Sequence, residues 1–453
     1  MMAIALRSGW RRLVACALLA LTFSVGASAT VVAATNIERV VSAGGIEAWL
    51  VRDAAVPVIA MEFAFLGGTS QDPAARPGVA NLITALLDEG AGELDAAAFQ
   101  ERMEEQAVEL RFRADRDHFR GSLRTLTDRR DASFDLLRLA LNAPRFEADA
   151  IERIRVQMLA QLRRETTDAN ELAGKAWWST AFAGHPYGQP EKGTLETVAQ
   201  IDVGDLRSYV RRVFARDQLK VAIVGDIDVE AARALLDKVF GGLPATAELK
   251  EVKSQLPAAL GRRVVVDLDV PQAVVQLGGI GLPRKHPDFM AAFVVNHILG
   301  GGSFTSRLYQ EVREKRGLAY GVATYLIPME RSALFMGGTA TRGDRTAETI
   351  DIIDREIRRM AQEGPTEDEL TKAKEYLKGS YPLRFDTSTK IAGQLVAIQI
   401  EDLGINYIRD RNAMVEAVTA EDAKRAAKNV LEGGLLVTIV GRPKGVTTTG
   451  QRS

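Results

Sequence analysis

The sequence predicts an α+β protein made of two homologous halves, each an antiparallel-rich sheet with helices packed on one face. Three observations lead there. First, Ile201-Asp202-Val203-Gly204-Asp205-Leu206 precedes Leu219-Lys220-Val221-Ala222-Ile223-Val224-Gly225, and Val418-Thr419-Ala420-Glu421-Asp422-Ala423 precedes Leu435-Leu436-Val437-Thr438-Ile439-Val440-Gly441. The offset is 217, becoming 216 at the closing glycine. Second, Phe146-Glu147-Ala148-Asp149-Ala150-Ile151 and Pro365-Thr366-Glu367-Asp368-Glu369-Leu370 each open a long polar helix at a similar offset of 219. Third, strands open each half, and several consecutive helices and a final strand follow. That order fits helices on one face of an antiparallel-rich sheet better than a doubly wound parallel sheet.

The elements follow in order. Arg7, Arg11 and Arg12 precede an apolar run from Leu13 to Val25, and Ala27-Ser28-Ala29 supplies the small-residue cleavage pattern, so residues 1–29 read as a secretory signal peptide. Leu13-Val14-Ala15-Cys16 resembles a lipoprotein box, but its apolar region follows the cysteine, which argues against lipidation. The apolar run falls short of the ~20 residues needed to span a bilayer, and no later run approaches that length. A secreted chain left without cysteine suits the bacterial periplasm, the expected location.

Ile59, Met61, Phe63 and Phe65 alternate with Glu62, the mark of a strand with one buried face. Residues 78–90 then predict a helix with Val79, Leu82, Ile83, Leu86 and Leu87 on its apolar stripe and Asn81, Thr84, Ala85 and Asp88 opposite. From Gly241 to Gly261, glycines, prolines and small polar residues replace the periodic pattern. This places a linker at 246–261 between an N-terminal domain, 30–245, and a C-terminal domain, 262–446, with a tail at 447–453. Val264 to Leu282 is the second half's counterpart of the opening strands.

Composition narrows the function. The 453 residues are 46% hydrophobic and 26% charged, and 58 Lys and Arg against 59 Asp and Glu give a net charge of −1. No basic surplus exists to hold a phosphate backbone, which disfavours nucleic acid. One cysteine and four histidines, His118, His185, His286 and His297, leave little for a transition-metal site.

The most specific stretch runs from Gly300-Gly301-Gly302-Ser303-Phe304-Thr305-Ser306-Arg307-Leu308-Tyr309 through Arg313 to Gly317-Leu318-Ala319-Tyr320. It reads as a glycine-rich loop, a helix, a glycine stop at Gly317 and a strand carrying Tyr320. The Gly-Lys-[Ser/Thr] ending of a phosphate loop is missing. Arg313 on the last helical turn and Tyr320 on the following strand can converge across the Gly317 turn. From spacing alone the plainer alternative is that Arg313 lies on a solvated face with Arg307, Lys315 and Arg316 while Tyr320 packs on the sheet.

Two of these stretches resemble the pitrilysin-type zinc peptidases, the M16 family with inverted His-x-x-Glu-His motifs that includes the mitochondrial processing peptidase. The first is Phe65-Leu66-Gly67-Gly68-Thr69 with the Gly78-Val79-Ala80 lead-in, and the second is Ser306-Arg307-Leu308 through Tyr320. Carried over position by position, the first histidine falls on Asn81, the general-base glutamate on Thr84, the second histidine on Ala85, and the glutamate ligand on Gln161. Two imidazoles one turn apart and an anionic oxygen are what zinc requires, so these four positions hold none and supply no base. No other His pair at i, i+4 exists in the chain. His185-Pro186-Tyr187 matches a His-Pro-Tyr element of the family and is expected to be structural.

In the second half the resemblance implies that Arg313 and Tyr320 contact substrate, two donors suited to a peptide carbonyl and its developing oxyanion. It aligns Gly300, Gly301 and Gly302 with a glycine-rich substrate loop, although three glycines also suit a tight turn. Some family members divide the work between two similar chains that close like a clamshell around an extended peptide. One carries zinc; the other lacks it and brings the Arg/Tyr pair. The expectation is therefore a metal-free subunit, inactive alone, binding unfolded peptide beside a homologous His-x-x-Glu-His partner that holds the zinc. The alternative is a non-enzymatic peptide-binding or scaffold protein that keeps the fold; a homodimer binding another ligand is a third option that nothing in the sequence selects.

Overall fold

The computed structural model describes residues 36–449, so the expected signal peptide, Cys16 and residues 450–453 of the expected tail lie outside the described residues. Two sheets form the frame. The first holds β1 (Ile37–Val41), β2 (Glu47–Arg52), β3 (Val58–Leu66), β4 (Glu109–Ala114), β5 (His118–Leu126) and β6 (Leu219–Gly225) in the order β1-β2-β6-β3-β5-β4. The second holds β7 (Arg263–Val266), β8 (Gln272–Ile280), β9 (Ala319–Pro328), β10 (Ala333–Arg342) and β11 (Leu436–Val440) in the order β7-β11-β8-β10-β9.

Apart from the extra edge strand β1, the two orders are the same. β2 pairs parallel with β6 as β7 does with β11, and every other neighbouring pair shared by the two sheets is antiparallel. The repeat read in the sequence is therefore a repeat of topology. Its closing glycines show why they recur: Gly225 and Gly441 sit at φ 144° and 140°, and a β-carbon on Gly225 would lie 2.1 Å from the Val58 carbonyl. The caps recur too. Asp202 with Asp205 and Thr419 with Asp422 form capping boxes that start helices Val203–Val213 and Ala420–Leu431.

One face of β3 carries Ile59, Met61, Phe63 and Phe65 into the first core, where Phe65 stacks on Phe214 at 4.8 Å. The second core gathers Val275, Leu277, Phe335, Ile353 and Ile439 under helices Phe289–Asn296, Thr346–Glu363 and Ala420–Leu431. The other faces are not left bare, and here the structure goes beyond the expected one-sided layering. Helix Ser388–Ile400 of the second half packs Ile391, Ala392 and Leu395 on Trp49, Ala64, Ala222 and Val224 of the first sheet. Helix Ala169–Ala181 of the first half packs Trp177 and Ala181 on Leu334, Met336 and Leu436 of the second sheet. These helices begin at positions 219 apart, the offset read in the sequence.

Polar bonds fix the exchange. Trp177 Nε1 donates to the Leu436 carbonyl (3.2 Å), Thr438 Oγ1 to the Ala173 carbonyl (3.0 Å) and Gln399 Nε2 to the Val221 carbonyl (2.9 Å). Covering this face also explains Glu62, which the alternation places opposite the core yet which is only 6% exposed. Burial raises its carboxyl pKa, against the opposing pull of Arg113 and Arg120. Among the described residues no helix is long and apolar enough to cross a membrane.

Candidate functional site

The segment after the glycines is built on buried side chains. Leu308 and Val312 are fully buried, and Arg307 reaches back to Glu369 through Nε (2.6 Å) and Nη2 (2.7 Å) and to the Gly364 carbonyl (3.1 Å). This bidentate pair ties the segment to the N-terminus of helix Glu367–Gly379. The expected helix is a single α-turn, Arg307–Tyr309, followed by a π-turn, Gln310–Glu314, and Arg313 sits on the latter. Widened turns of this kind re-aim side chains and recur at functional sites.

Gly317 then reverses the chain at φ 60°, with the Leu318 amide donating to the Val312 carbonyl at 2.9 Å. That turn brings the pair together. The Arg313 guanidinium carbon lies 4.4 Å from the Tyr320 ring centroid and 5.0 Å from that of Tyr309. Tyr320 is 83% exposed, at the open start of edge strand β9, and does not pack on the sheet. Among the described residues the one carboxylate within 4 Å of Arg313 is that of Glu314, at 3.9 Å, beyond hydrogen-bond reach. Two aromatic faces thus hold the guanidinium by cation–π attraction and leave its N–H edge and the Tyr320 hydroxyl as donors for an incoming oxygen.

The three glycines serve close packing. A β-carbon on Gly300 would meet Thr324 Oγ1 at 2.5 Å, one on Gly301 the Asn296 amide nitrogen at 2.7 Å, and one on Gly302 the His297 carbonyl at 2.7 Å. None has a left-handed backbone; that conformation falls on Ser303, at φ 48°. Gly300 and Gly301 end a π-helix, His297–Gly301, beside β9, and Gly302 caps it, so the three lie next to the Arg313 segment.

At the family's metal position the expected helix over 78–90 is shorter, Val79–Thr84, with turns from Ala85 onward. Its stripe is nonetheless as expected, with Val79, Leu82, Ile83, Leu86 and Leu87 all buried. Asp72 caps the start, accepting from the Gly78 (2.8 Å) and Ala80 (2.9 Å) amides, and burial raises its carboxyl to about 7 despite those bonds. Thr84 Oγ1 donates to the Asn81 carbonyl at 2.6 Å, so its hydroxyl is spent on its own turn, and Ala85 is exposed. Gln161 lies on helix Ala148–Glu165, which packs against this short helix, and its amide donates to Glu165 at 2.9 Å. Among the described residues no group of three or more His, Cys, Asp or Glu is placed to hold a metal ion. The side chains at these positions do not fit zinc, because none presents an imidazole or an anionic oxygen.

His185 is structural. Its Nδ1 accepts from the Tyr187 amide (3.1 Å) and its Nε2 faces the Lys253 carbonyl (2.9 Å), which assigns the proton to Nε2. Sequence reasoning missed Tyr309, Phe304 and the Arg307–Glu369 anchor. It also missed a cavity of about 830 Å³ between the halves, where His118 lies 3.7 Å from both Asp115 and Glu330. An isolated phenylalanine in a Gly/Ser loop was the one local signal for Phe304.

Residues 200–377 match the family described as the peptidase M16 inactive domain. Over these residues the chain is similar to the peptidase M16 family. The matched M16 region contains Gly300, Gly301, Gly302, Arg313 and Tyr320, while Asn81, Thr84, Ala85 and Gln161 lie before it. Among similar proteins, a Helicobacter pylori protein named non-peptidase homolog YmxG is 28% identical over 73% of this chain and 77% of its own. An uncharacterized zinc protease of Streptomyces coelicolor is 26% identical over 84% of this chain and 83% of its own. The crystal structure of a peptidase M16 inactive domain from Pseudomonas fluorescens superposes with a TM-score of 0.85 at 29% identity, covering 92% of this chain and all of that one. Residues 200–377 are thus similar to an inactive peptidase-like domain, and among the described residues no group is placed to hold a metal ion.

Proposed function

We propose that this chain is the metal-free subunit of a periplasmic heterodimeric zinc endopeptidase. It binds extended peptide and presents Arg313 and Tyr320 to a partner that carries zinc on an intact His-x-x-Glu-His helix. One observation carries the proposal: the half-buried Arg313 guanidinium lies 4.4 Å over the ring of the exposed Tyr320, with no carboxylate within hydrogen-bond distance of it. A half-buried arginine with no ion-pair partner in hydrogen-bond reach, held against two rings, is arranged for a ligand oxygen. Its task is to hold the scissile carbonyl and the charge that grows on it while the partner's zinc delivers water. The arginine-rich signal segment supports export, and a chain without cysteine after cleavage suits an oxidising compartment.

A second reading, a peptide-binding or scaffold protein without hydrolysis in any combination, draws support from the relative named a non-peptidase homolog. One experiment separates the two. A quenched unstructured peptide is incubated with this protein alone, with the closest zinc-motif homologue of the same organism alone, and with both, zinc supplied. Cleavage that requires both chains supports the subunit; a mixture no faster than the zinc chain alone favours the scaffold. Zinc-dependent cleavage by this protein alone contradicts both.

A further inference from the structure

The Arg313–Tyr320 pair is part of a longer array. Phe304 stands edge-on to Tyr309, with ring centroids 5.1 Å apart and planes 82° to one another, and Tyr309 in turn flanks Arg313. Tyr309 is buried, whereas Phe304 is 68% exposed.

The loop is built to hold that ring out. Ser303, just before it, takes a left-handed backbone conformation at φ 48° that a β-carbon disfavours. The Phe304 carbonyl accepts from Gln310 Nε2 at 2.7 Å, and Ser306 pins the Ser303 carbonyl through its hydroxyl (2.9 Å) and its amide (3.1 Å). A strained, multiply tethered turn that exposes an aromatic ring holds it preorganised for contact.

We propose that Phe304 is a specificity-determining residue. It forms the apolar wall of a subsite, beside Arg313, for a large aromatic or aliphatic side chain of an extended peptide whose neighbouring backbone oxygen the guanidinium takes. The inference rests on the peptide-binding reading above and deepens it by naming the side-chain class. Two features on the same array fit this occupant: a positive donor edge for the oxygen, and an exposed ring continuous with it through Tyr309.

The test is a fluorescence-anisotropy titration of the purified protein with two labelled, blocked, unstructured peptides that differ only in a central Phe or Ser. Wild type should bind the Phe peptide about tenfold more tightly, the effect of burying one aromatic side chain. Phe304→Ala should bring the two affinities together, Phe304→Trp should restore the preference, and Arg313→Ala should weaken both peptides while leaving their ratio intact. A Phe preference that survives in Phe304→Ala, with melting temperature unchanged, overturns the subsite while leaving peptide binding standing. Failure of both peptides to bind wild type overturns the peptide-binding reading and the subsite with it.

Discussion

Trp177 of the first half donates its indole N–H to the main-chain carbonyl of Leu436 in the second, 3.2 Å across a buried contact between residues 259 apart. That bond marks the reciprocal exchange in which each half's helix covers the other half's sheet, and it makes the halves mechanically dependent.

Removing the ring tests that dependence. Trp177→Ala should destabilise the protein by about 3–5 kcal/mol, because it leaves a large cavity in the buried contact between the halves. Calorimetry of the wild type should show one cooperative transition, lowered as a whole in the variant. Two separated wild-type transitions, only one of which moves on substitution, would contradict the interlock.

The Arg307–Glu369 anchor has a pH signature. Burial opposes ionisation of Glu369, but its bonds to Arg307 and the Thr366 amide outweigh that and hold its carboxyl down to about 2, against an ordinary value of 4.5. A depressed folded-state pKa contributes stability that is complete above the unfolded value and fades as pH falls through the folded one. The window is therefore from about pH 4.5 down to about 2. Melting curves of wild type and Glu369→Gln should differ most near neutrality and converge across that window; a constant gap would exclude the ion pair as the cause.

Metal content is the third check. After dialysis against zinc and then buffer, the purified protein should retain far less than one equivalent by mass spectrometry, since Asn81, Thr84, Ala85 and Gln161 offer no imidazole or carboxylate. A retained equivalent lost on mutation of His118 or Glu330 would place a site in the cavity between the halves instead.

Much of this architecture was legible because its signals are local. Alternation around Glu62 fixed a strand, the Asp202 and Thr419 boxes fixed helix starts, and the recurring Gly225 and Gly441 exposed the duplication. The exchange of helices Ala169–Ala181 and Ser388–Ile400 was not legible, since a long-range partner leaves no mark on a helix's own periodicity. Convergence of Arg313 and Tyr320 followed from the Gly317 turn, but the role of Tyr309 did not, because a buried tyrosine in a helix reads as ordinary core. The expected helix over 78–90 overran its real end at Thr84, as the apolar spacing continues through Leu87 in the turns beyond.

The central claim is that Arg313 acts in trans, and peptide hydrolysis by the zinc chain with wild-type or Arg313→Ala protein tests it directly. With Tyr320→Phe as a companion that keeps the ring and loses the hydroxyl, both variants should assemble with the partner as wild type does, by sedimentation. Turnover should fall by about 10²–10³-fold for Arg313→Ala, the usual loss on removing one oxyanion donor. An assembled Arg313→Ala complex that turns over peptide at the wild-type rate would contradict the account.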